Sequence, residues 1–460
     1  MGAVQSAVCI PRRVDISSGK RPSSGETTFV APVELIHRSL VSPDSFSITD
    51  DSELGSGTFG RVSLSLAHSE VCPSVVRFVA IKRGLKDTME HSSLKLERNI
   101  LSSLDHPSLV KLYGVMSTEE DGNSMFLCQI LEYCPGGELF TLISKNGPLA
   151  ESTARLYFGH IMTGLNYLHT VVKAVHRDLK PENILISHDG RVAKLCDFGT
   201  AVVLCDTVRK ATGRIGSLSY AAPEVYSESR ADFSSDVWSA GVVLYVMFCA
   251  SSPFRNSGDR DQSVAVERVK RGEINKSRDR WKSMAPKPKR LIGKMMKVDE
   301  FERLTASQVL QDDWLQIKAE LSPVQKAEVQ QGMDAFLDSE FQHWWLALAH
   351  QIEWEYGSII FRKLDTRGCG IVYSEDLRAS TICINHHNKD WWSYSEIIAA
   401  LLLSNNTPRD EETCRIVAEG IPFAYDALKS VGYVDLPNKF EIFAKQFEQI
   451  FRHRHTSITN

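Results

Sequence analysis

Val175-His176-Arg177-Asp178-Leu179-Lys180-Pro181-Glu182-Asn183 is the stretch on which the reading of this 460-residue chain turns. It sets an acid, a cation and an amide close together. Asp178 can accept a hydroxyl proton and orient the attacking oxygen, Lys180 can neutralise charge on a group in transfer, and Asn183 can hold a hard cation. Downstream, the apolar run Val192-Ala193-Lys194-Leu195-Cys196 leads into Asp197-Phe198-Gly199, which adds a second oxygen donor. Upstream lies Leu54-Gly55-Ser56-Gly57-Thr58-Phe59-Gly60-Arg61-Val62, a glycine loop that lets backbone N–H groups lie over phosphates with no side chain in the way. A dinucleotide fold uses such a loop too. Here, however, a strand-like Arg61-Val62-Ser63-Leu64-Ser65-Leu66 follows in place of a helix, and Val79-Ala80-Ile81-Lys82 comes next at strand spacing. Lys82 needs a carboxylate to hold it. Glu97, just before Leu104-Asp105-His106-Pro107, is the better placed partner, and Glu90 is the rival, early relative to that landmark.

In this order the motifs resemble those of eukaryotic protein kinases over about residues 46 to 317. The resemblance implies ATP and magnesium as cofactors, proteins as substrates and serine or threonine as the acceptor, since tyrosine kinases typically carry another residue in place of Lys180. It implies that Lys82 and Glu97 fix the phosphates, Asp178 and Lys180 serve the transfer, and Asn183 and Asp197 hold the metal. ATP is expected in a cleft lined by Leu54, Gly55, Gly57, Gly60, Val62, Ala80, Leu131, Glu132, Cys134, Glu138 and Leu185, with Leu131 as gatekeeper. Asp236 resembles the aspartate that braces the catalytic loop, and Arg303 the arginine that pairs with Glu224. Ser217 resembles the hydroxyl residue that contacts Asp178. Glu138, with Glu182 beside Asn183, resembles the acid that binds a substrate arginine; Val246 stands where a further acid would favour a run of them. Arg177 resembles an arginine that binds an activation-loop phosphate or its mimic, with Thr207, Thr212 and Asp206 left open as partners.

Bulk properties agree. The composition is that of a globular protein, 43% apolar and 24% charged, and a net charge of -4 gives no broad nucleic-acid surface. Ala240 to Ala250 is too short to span a bilayer. The ten cysteines show neither Cys-x-x-Cys nor metal rhythm, and no secretory signal is visible, so reduced thiols inside the cell are expected.

Beyond the kinase-like region, Ile359 to Leu377 outlines an EF-hand loop with Gly370 at position six and Val372 at position eight. Calcium needs oxygen at positions one, three, five and twelve. This loop offers Asp365, Arg367, Cys369 and Asp376, so calcium affinity is not expected. A second outline runs from Asn385 to Glu396 and a third from Ala427 to Asn438. The first two start only 20 residues apart, too close for two intact hands. The arrangement resembles the calcium-dependent protein kinases, in which a basic segment between the modules blocks the active site until calcium arrives. Here residues 321 to 352 are acidic, then aromatic (Phe341, Trp344, Trp345), and read equally as a helix in a groove or as ordinary core.

The chain begins Met1-Gly2-Ala3-Val4-Gln5-Ser6, an N-myristoylation pattern, with Cys9 available for palmitoylation and Arg12, Arg13, Lys20 and Arg21 for anionic lipid. The expected fold is α+β: a flexible arm (1–45), a two-lobed protein kinase fold (46–317), a junction (318–354), then an all-α EF-hand-like, calmodulin-like domain (355–460). The expected location is the cytoplasm, at the face of a membrane. A membrane-tethered scaffold that lacks catalysis and a calcium-switched kinase are the competing readings.

Overall fold

A computed structural model of the chain describes residues 46–57, 60–69, 74, 76–85, 92–120, 124–188, 190–205, 210–212, 217–256, 259, 261–316, 320–339, 342–352, 354–382, 390–404, 411–430 and 443. The arm with Gly2 and Cys9, Thr58 and Phe59, Glu90, Asp206, Thr207, Phe341, residues 385–389 of the second outline and 431–438 of the third lie outside them.

Strands β1 (Phe46–Gly57), β2 (Gly60–His68), β3 (Val76–Leu85), β4 (Leu112–Glu120) and β5 (Ser124–Glu132) form one antiparallel sheet in the order β1-β2-β3-β5-β4. Period-two alternation puts Ala67, Val79, Ile81, Met116, Cys128 and Ile130 on one buried face. Register shifts between Ile48 and Glu53, and again before Gly55, bend the β1–β2 hairpin. Helix α1 (Ser92–Leu101) follows β3, and its Ile100 and Leu101 are buried in the core shared with the large lobe.

The larger lobe is helical: α2 (Leu139–Asn146), α3 (Glu151–Tyr167), α4 (Pro223–Ser227), α5 (Phe233–Cys249), α6 (Gln262–Arg271), α7 (Asp279–Ser283), α8 (Pro286–Met295) and α9 (Ala306–Leu310). Buried residues run around all sides of α5, which explains its continuous apolar sequence. Among the described residues, no helix is long and apolar enough to cross a membrane. Short ladders pair β6 (Ala174–Val175) with β9 (Val202–Val203), β7 (Ile184–Ile186) with β8 (Ala193–Leu195), and β10 (Ala211–Thr212) with β11 (Arg230–Ala231). These ladders anchor the loops that carry Asp178, Asn183 and Asp197.

A third body follows: α10 (Pro323–Leu337), α11 (Gln342–Gln351), α12 (Glu355–Leu364), α13 (Ser374–Ala379), α14 (Tyr394–Leu403) and α15 (Glu411–Ser430), with β12 (Val372–Tyr373) paired to β13 (Trp391–Trp392). Capping boxes start α10 at Ser322 and α14 at Ser393. Met333, Phe336, Trp344, Trp345, Phe361, Ile397 and Leu401 share one core. The stretch 318–354, set apart as a junction in the sequence, therefore supplies a large share of this core, because its aromatic residues need the apolar faces of α14 and α15 for burial. The body also reaches both lobes. Phe423 packs on the sheet's buried face, while Cys369 and Ile371 join the core of the large lobe.

Candidate active site

Strand β3 presents Lys82 into the cleft between the lobes, opposite Val62 of β2 and Gln129 of β5. Its Nζ lies 2.7 Å from Glu97 Oε1 and 3.0 Å from Asp197 Oδ1. The structure thus joins α1, the sheet and the loop after β8 at one ammonium group. Burial works to lower the Lys82 pKa, but Glu97 and Asp197 overcome this and hold it above its ordinary value. Burial likewise works to raise Asp197, and Lys82 carries it below the usual carboxylate range. Glu97 is 1% exposed, and burial pushes its carboxyl up against the opposing pull of Lys82.

Arg177 (φ 68°) and Asp197 (φ 59°) both adopt left-handed backbone, a strain of about 1–2 kcal/mol each for a side chain with a Cβ. The Asp236 carboxylate holds the first of them by accepting from His176 N at 2.8 Å and Arg177 N at 2.9 Å. Burial would raise Asp236, but the hydrogen bond to His169 at 2.9 Å and its other donors keep it below its ordinary value. Phe198 is fully buried against the His176 ring, and this turns the neighbouring Asp197 toward Lys82.

Asp178 is fixed at both oxygens. Ser217 N donates to Oδ1 at 2.6 Å, and Lys180 Nζ and Asn183 Nδ2 donate to Oδ2 at 2.8 and 3.1 Å. The expected contact of Ser217 with Asp178 runs through its backbone N–H, and the Ser217 hydroxyl accepts from Lys180 Nζ at 2.8 Å. Arg177 donates to the carbonyls of Thr200 (2.6 Å) and Thr212 (3.2 Å), so among the open partners Thr212 meets it through the main chain. Glu224 and Arg303 form a two-pronged pair at 2.8 and 3.1 Å.

The glycine loop is the β1–β2 turn, with Gly57 opposite Gly60 and Gly55 opposite Val62. A Cβ on Gly55 would meet nothing within 4 Å. Leu54 is exposed beside it, and Ala80 stands across from Leu131 at the other end of the cleft. Glu138 bridges to Leu185, and burial followed by the charge of Glu182 raises its carboxyl.

The side chains of two residues expected to line the cleft, Glu132 and Cys134, make contacts away from it. The Glu132 carboxylate is buried, ion-paired with Lys194 and accepting from Lys111 N at 3.1 Å, while its own backbone N–H goes to Lys111 O. Cys134 is 5% exposed and its thiol faces the same carboxylate. Their side chains therefore serve the joint between the lobes. Sequence reasoning missed Lys194 and Lys111; a lysine centred in the apolar run 192–196 was the available signal.

An ammonium clamped by two carboxylates, an oriented acid with an adjacent cation, and two hard oxygen donors at the mouth of one cleft form the constellation of the protein kinases, on their two-lobed scaffold. Residues 48–315, more than half the chain, match the protein kinase domain family, and the chain belongs to it. It is similar to calcium-dependent protein kinase 3 of Plasmodium yoelii yoelii, 32% identical over 277 residues covering 60% of this chain and 49% of that one. It is similar also to the carbon catabolite-derepressing protein kinase of Saccharomyces cerevisiae, 34% identical over 265 residues (57% of this chain, 39% of that one). A third relative is the maternal embryonic leucine zipper kinase of Danio rerio, 35% identical over 268 residues (57% and 36%). The chain spans about half the length of these relatives or less.

Proposed function

We propose that the chain is a protein serine/threonine kinase that moves the γ-phosphoryl group of ATP to protein hydroxyls, without direct control by calcium. The observation that carries this is the set of contacts at Asp178, in which Ser217, Lys180 and Asn183 hold the acid on both oxygens. Asp178 orients the acceptor hydroxyl and takes its proton as the new P–O bond forms and ADP leaves. Lys180 neutralises charge on the phosphoryl oxygens in flight, and Lys82, held by Glu97, fixes the other phosphates. The donor set fits magnesium. Asn183 commits its amide nitrogen to Asp178, which leaves its carbonyl oxygen for a hard cation, and Asp197 adds a carboxylate. When bound, that ion neutralises phosphate charge. The adjacent acids Glu138 and Glu182 favour a basic residue upstream of the target. Acylation of Gly2 and Cys9 would place the enzyme at the cytoplasmic face of a membrane.

We read α12, residues 365–376 and α13 as a calcium-type hand that no longer uses metal. Gly370 makes the loop's turn at φ 78°, and Val372 pairs with Trp392, the eighth position of each outline. Close spacing is then explained by a truncated α13 that ends at Ala379. The position-one acid, Asp365, accepts from Cys369 N at 3.0 Å and Gly370 N at 2.6 Å. Arg367 lies 3.0 Å from Glu375 and 3.2 Å from Asp376, giving the loop's acids a tethered cation. The segment that would block the active site in the calcium-dependent relatives is core here: Trp344 and Trp345 are fully buried.

The test is phosphate transfer from ATP and magnesium to a basic serine peptide, in excess calcium and in chelator. Equal activity in both is expected. Activity with calcium alone overturns the reading of the hand, and absence of activity in both favours the scaffold.

A further inference from the structure

We infer that Ser395 and Gly370, both in the third body, are positioning residues for the Lys82–Glu97 pair, acting through Asp105 and His106; this rests on the kinase reading above. Helix α1, which carries Glu97, ends at Leu101, and the chain turns through Asp105 and His106 before entering β4. That turn is gripped from two directions. From the large lobe, Tyr167 at the end of α3 accepts from Asp105 N at 3.2 Å and donates to Ser103 O at 3.3 Å, and its ring stacks on His106 at 5.3 Å.

The second grip comes from the third body. The Asp105 carboxylate accepts from Ser395 Oγ at 2.8 Å and from Ser395 N at 3.1 Å, at the first turn of α14. Unsatisfied N–H groups at a helix start favour an anion there. Both residues are buried, at 5% and 1% exposure, so neither contact is shared with bulk water. Beside them, Gly370 lies flat on both rings. An added Cβ would overlap Tyr167 and stand 2.6 Å from His106 Cδ2. One residue before Tyr167, Asn166 donates to Gly368 O at 2.8 Å. At the far end of the same turn, Lys111 Nζ donates to Ile352 O at 2.8 Å.

The small-lobe turn, the large-lobe helix and the third body thus meet at one buried junction. A helix moves as a unit, so the position of the α1 C-terminal end sets where Glu97 stands. The Glu97–Lys82 hydrogen bond of 2.7 Å has little slack. A displacement of about 1 Å at a catalytic group is enough to lower a rate about a hundredfold. The third body therefore holds α1 in the productive position from outside the catalytic domain.

The experiment uses the full-length chain, with kcat and peptide KM for phosphate transfer and hydrogen exchange of the α1 amides. Ser395→Ala removes one hydrogen bond to a buried carboxyl group, enough to shift the docked balance about tenfold. The expected result is a kcat about tenfold lower, an unchanged peptide KM and faster α1 exchange. Ser395→Thr, which keeps the hydroxyl, restores all three. Gly370→Ala, working from the opposite side of the junction, gives the same pattern and decides the matter if Ser395→Ala does not fold. Wild-type kcat with unchanged α1 exchange in a folded variant overturns the inference, as does lost activity with unchanged α1 exchange. An inactive wild type would sink the kinase reading alone; the exchange measurement would still decide the coupling.

Discussion

Replacing Asp178 by Asn changes the charge at the centre of the proposed mechanism and almost nothing in volume. In the native site every hydrogen bond to this side chain points inward: Ser217 N at 2.6 Å on one oxygen, Lys180 Nζ at 2.8 Å and Asn183 Nδ2 at 3.1 Å on the other. An asparagine must put its own NH2 toward one of those sets, so a donor faces a donor in either orientation. The general base is lost as well, and Lys180 loses the carboxylate that aims it. General-base catalysis contributes roughly 10²–10⁴-fold, or about 3–5.5 kcal/mol in activation free energy. The misoriented amide places the expected loss of kcat toward the upper end. The assay is steady-state phosphate transfer to a serine peptide, with nucleotide affinity measured separately by fluorescence. Nucleotide affinity is expected to stay near wild type, because Lys82 is held by Glu97 and Asp197 and not by Asp178. A kcat within about fivefold of wild type would refute general-base catalysis by this residue. A cellular phenotype that survives a dead Asp178→Asn enzyme would point to the scaffold.

Three further perturbations test the frame around the site. Lys194→Met leaves Glu132 buried beside an apolar chain and should lower stability by about 3–5 kcal/mol in denaturant titration; adding Glu132→Leu should restore most of it, and no recovery would contradict a pairwise cause. Gly332→Ala places a Cβ into the Ala400 carbonyl. It should loosen the α10–α14 contact at about 1–3 kcal/mol, read as a lower melting temperature. Burial pushes the Asp365 carboxyl up to about 6. The folded state therefore keeps a proton that the unfolded chain releases near pH 4, and stability falls as pH rises through that window, by up to about 3 kcal/mol, then levels off. Denaturant titrations at pH 4.5 and 6.5 should show this decline in the wild type and not in Asp365→Asn; equal slopes would refute the burial argument.

The catalytic constellation was legible because phosphoryl transfer demands particular groups at fixed positions along loops, and loops print those demands as contiguous motifs. Asp178, Asn183 and Asp197 were readable in this way; Lys82 was read from its strand-like run after the glycine loop, and the choice of Glu97 over Glu90 followed from its distance to the turn at Asp105. The same logic failed for side chains that act across long separations. Glu132 was expected to line the cleft, yet a buried lysine in β8 pairs with its carboxylate. Nothing local to residue 132 announces Lys194. Asp105 served only as a landmark in the sequence, although it holds Ser395 290 positions away. The aromatic stripe of α11 left core and groove equally open, because period alone cannot say whether the apolar partner is permanent.

That stripe also bears on how the proposed enzyme is controlled. A calcium hand works as a switch because metal binds one arrangement of the loop more tightly than another, and a ligand shifts an equilibrium only by that difference. Here the loop's order has three sources that need no metal. Backbone N–H groups satisfy Asp365, the Val372–Trp392 pairing holds the loop's exit, and Arg367 pairs with Glu375 and Asp376. On the proposed reading, calcium would have to displace a guanidinium tethered to the loop it enters. Release of α11 to cover the active site would in turn expose two fully buried tryptophans, at roughly 1.5–3 kcal/mol or more for each large side chain. On the proposed reading the module has changed from a switch to a fixture.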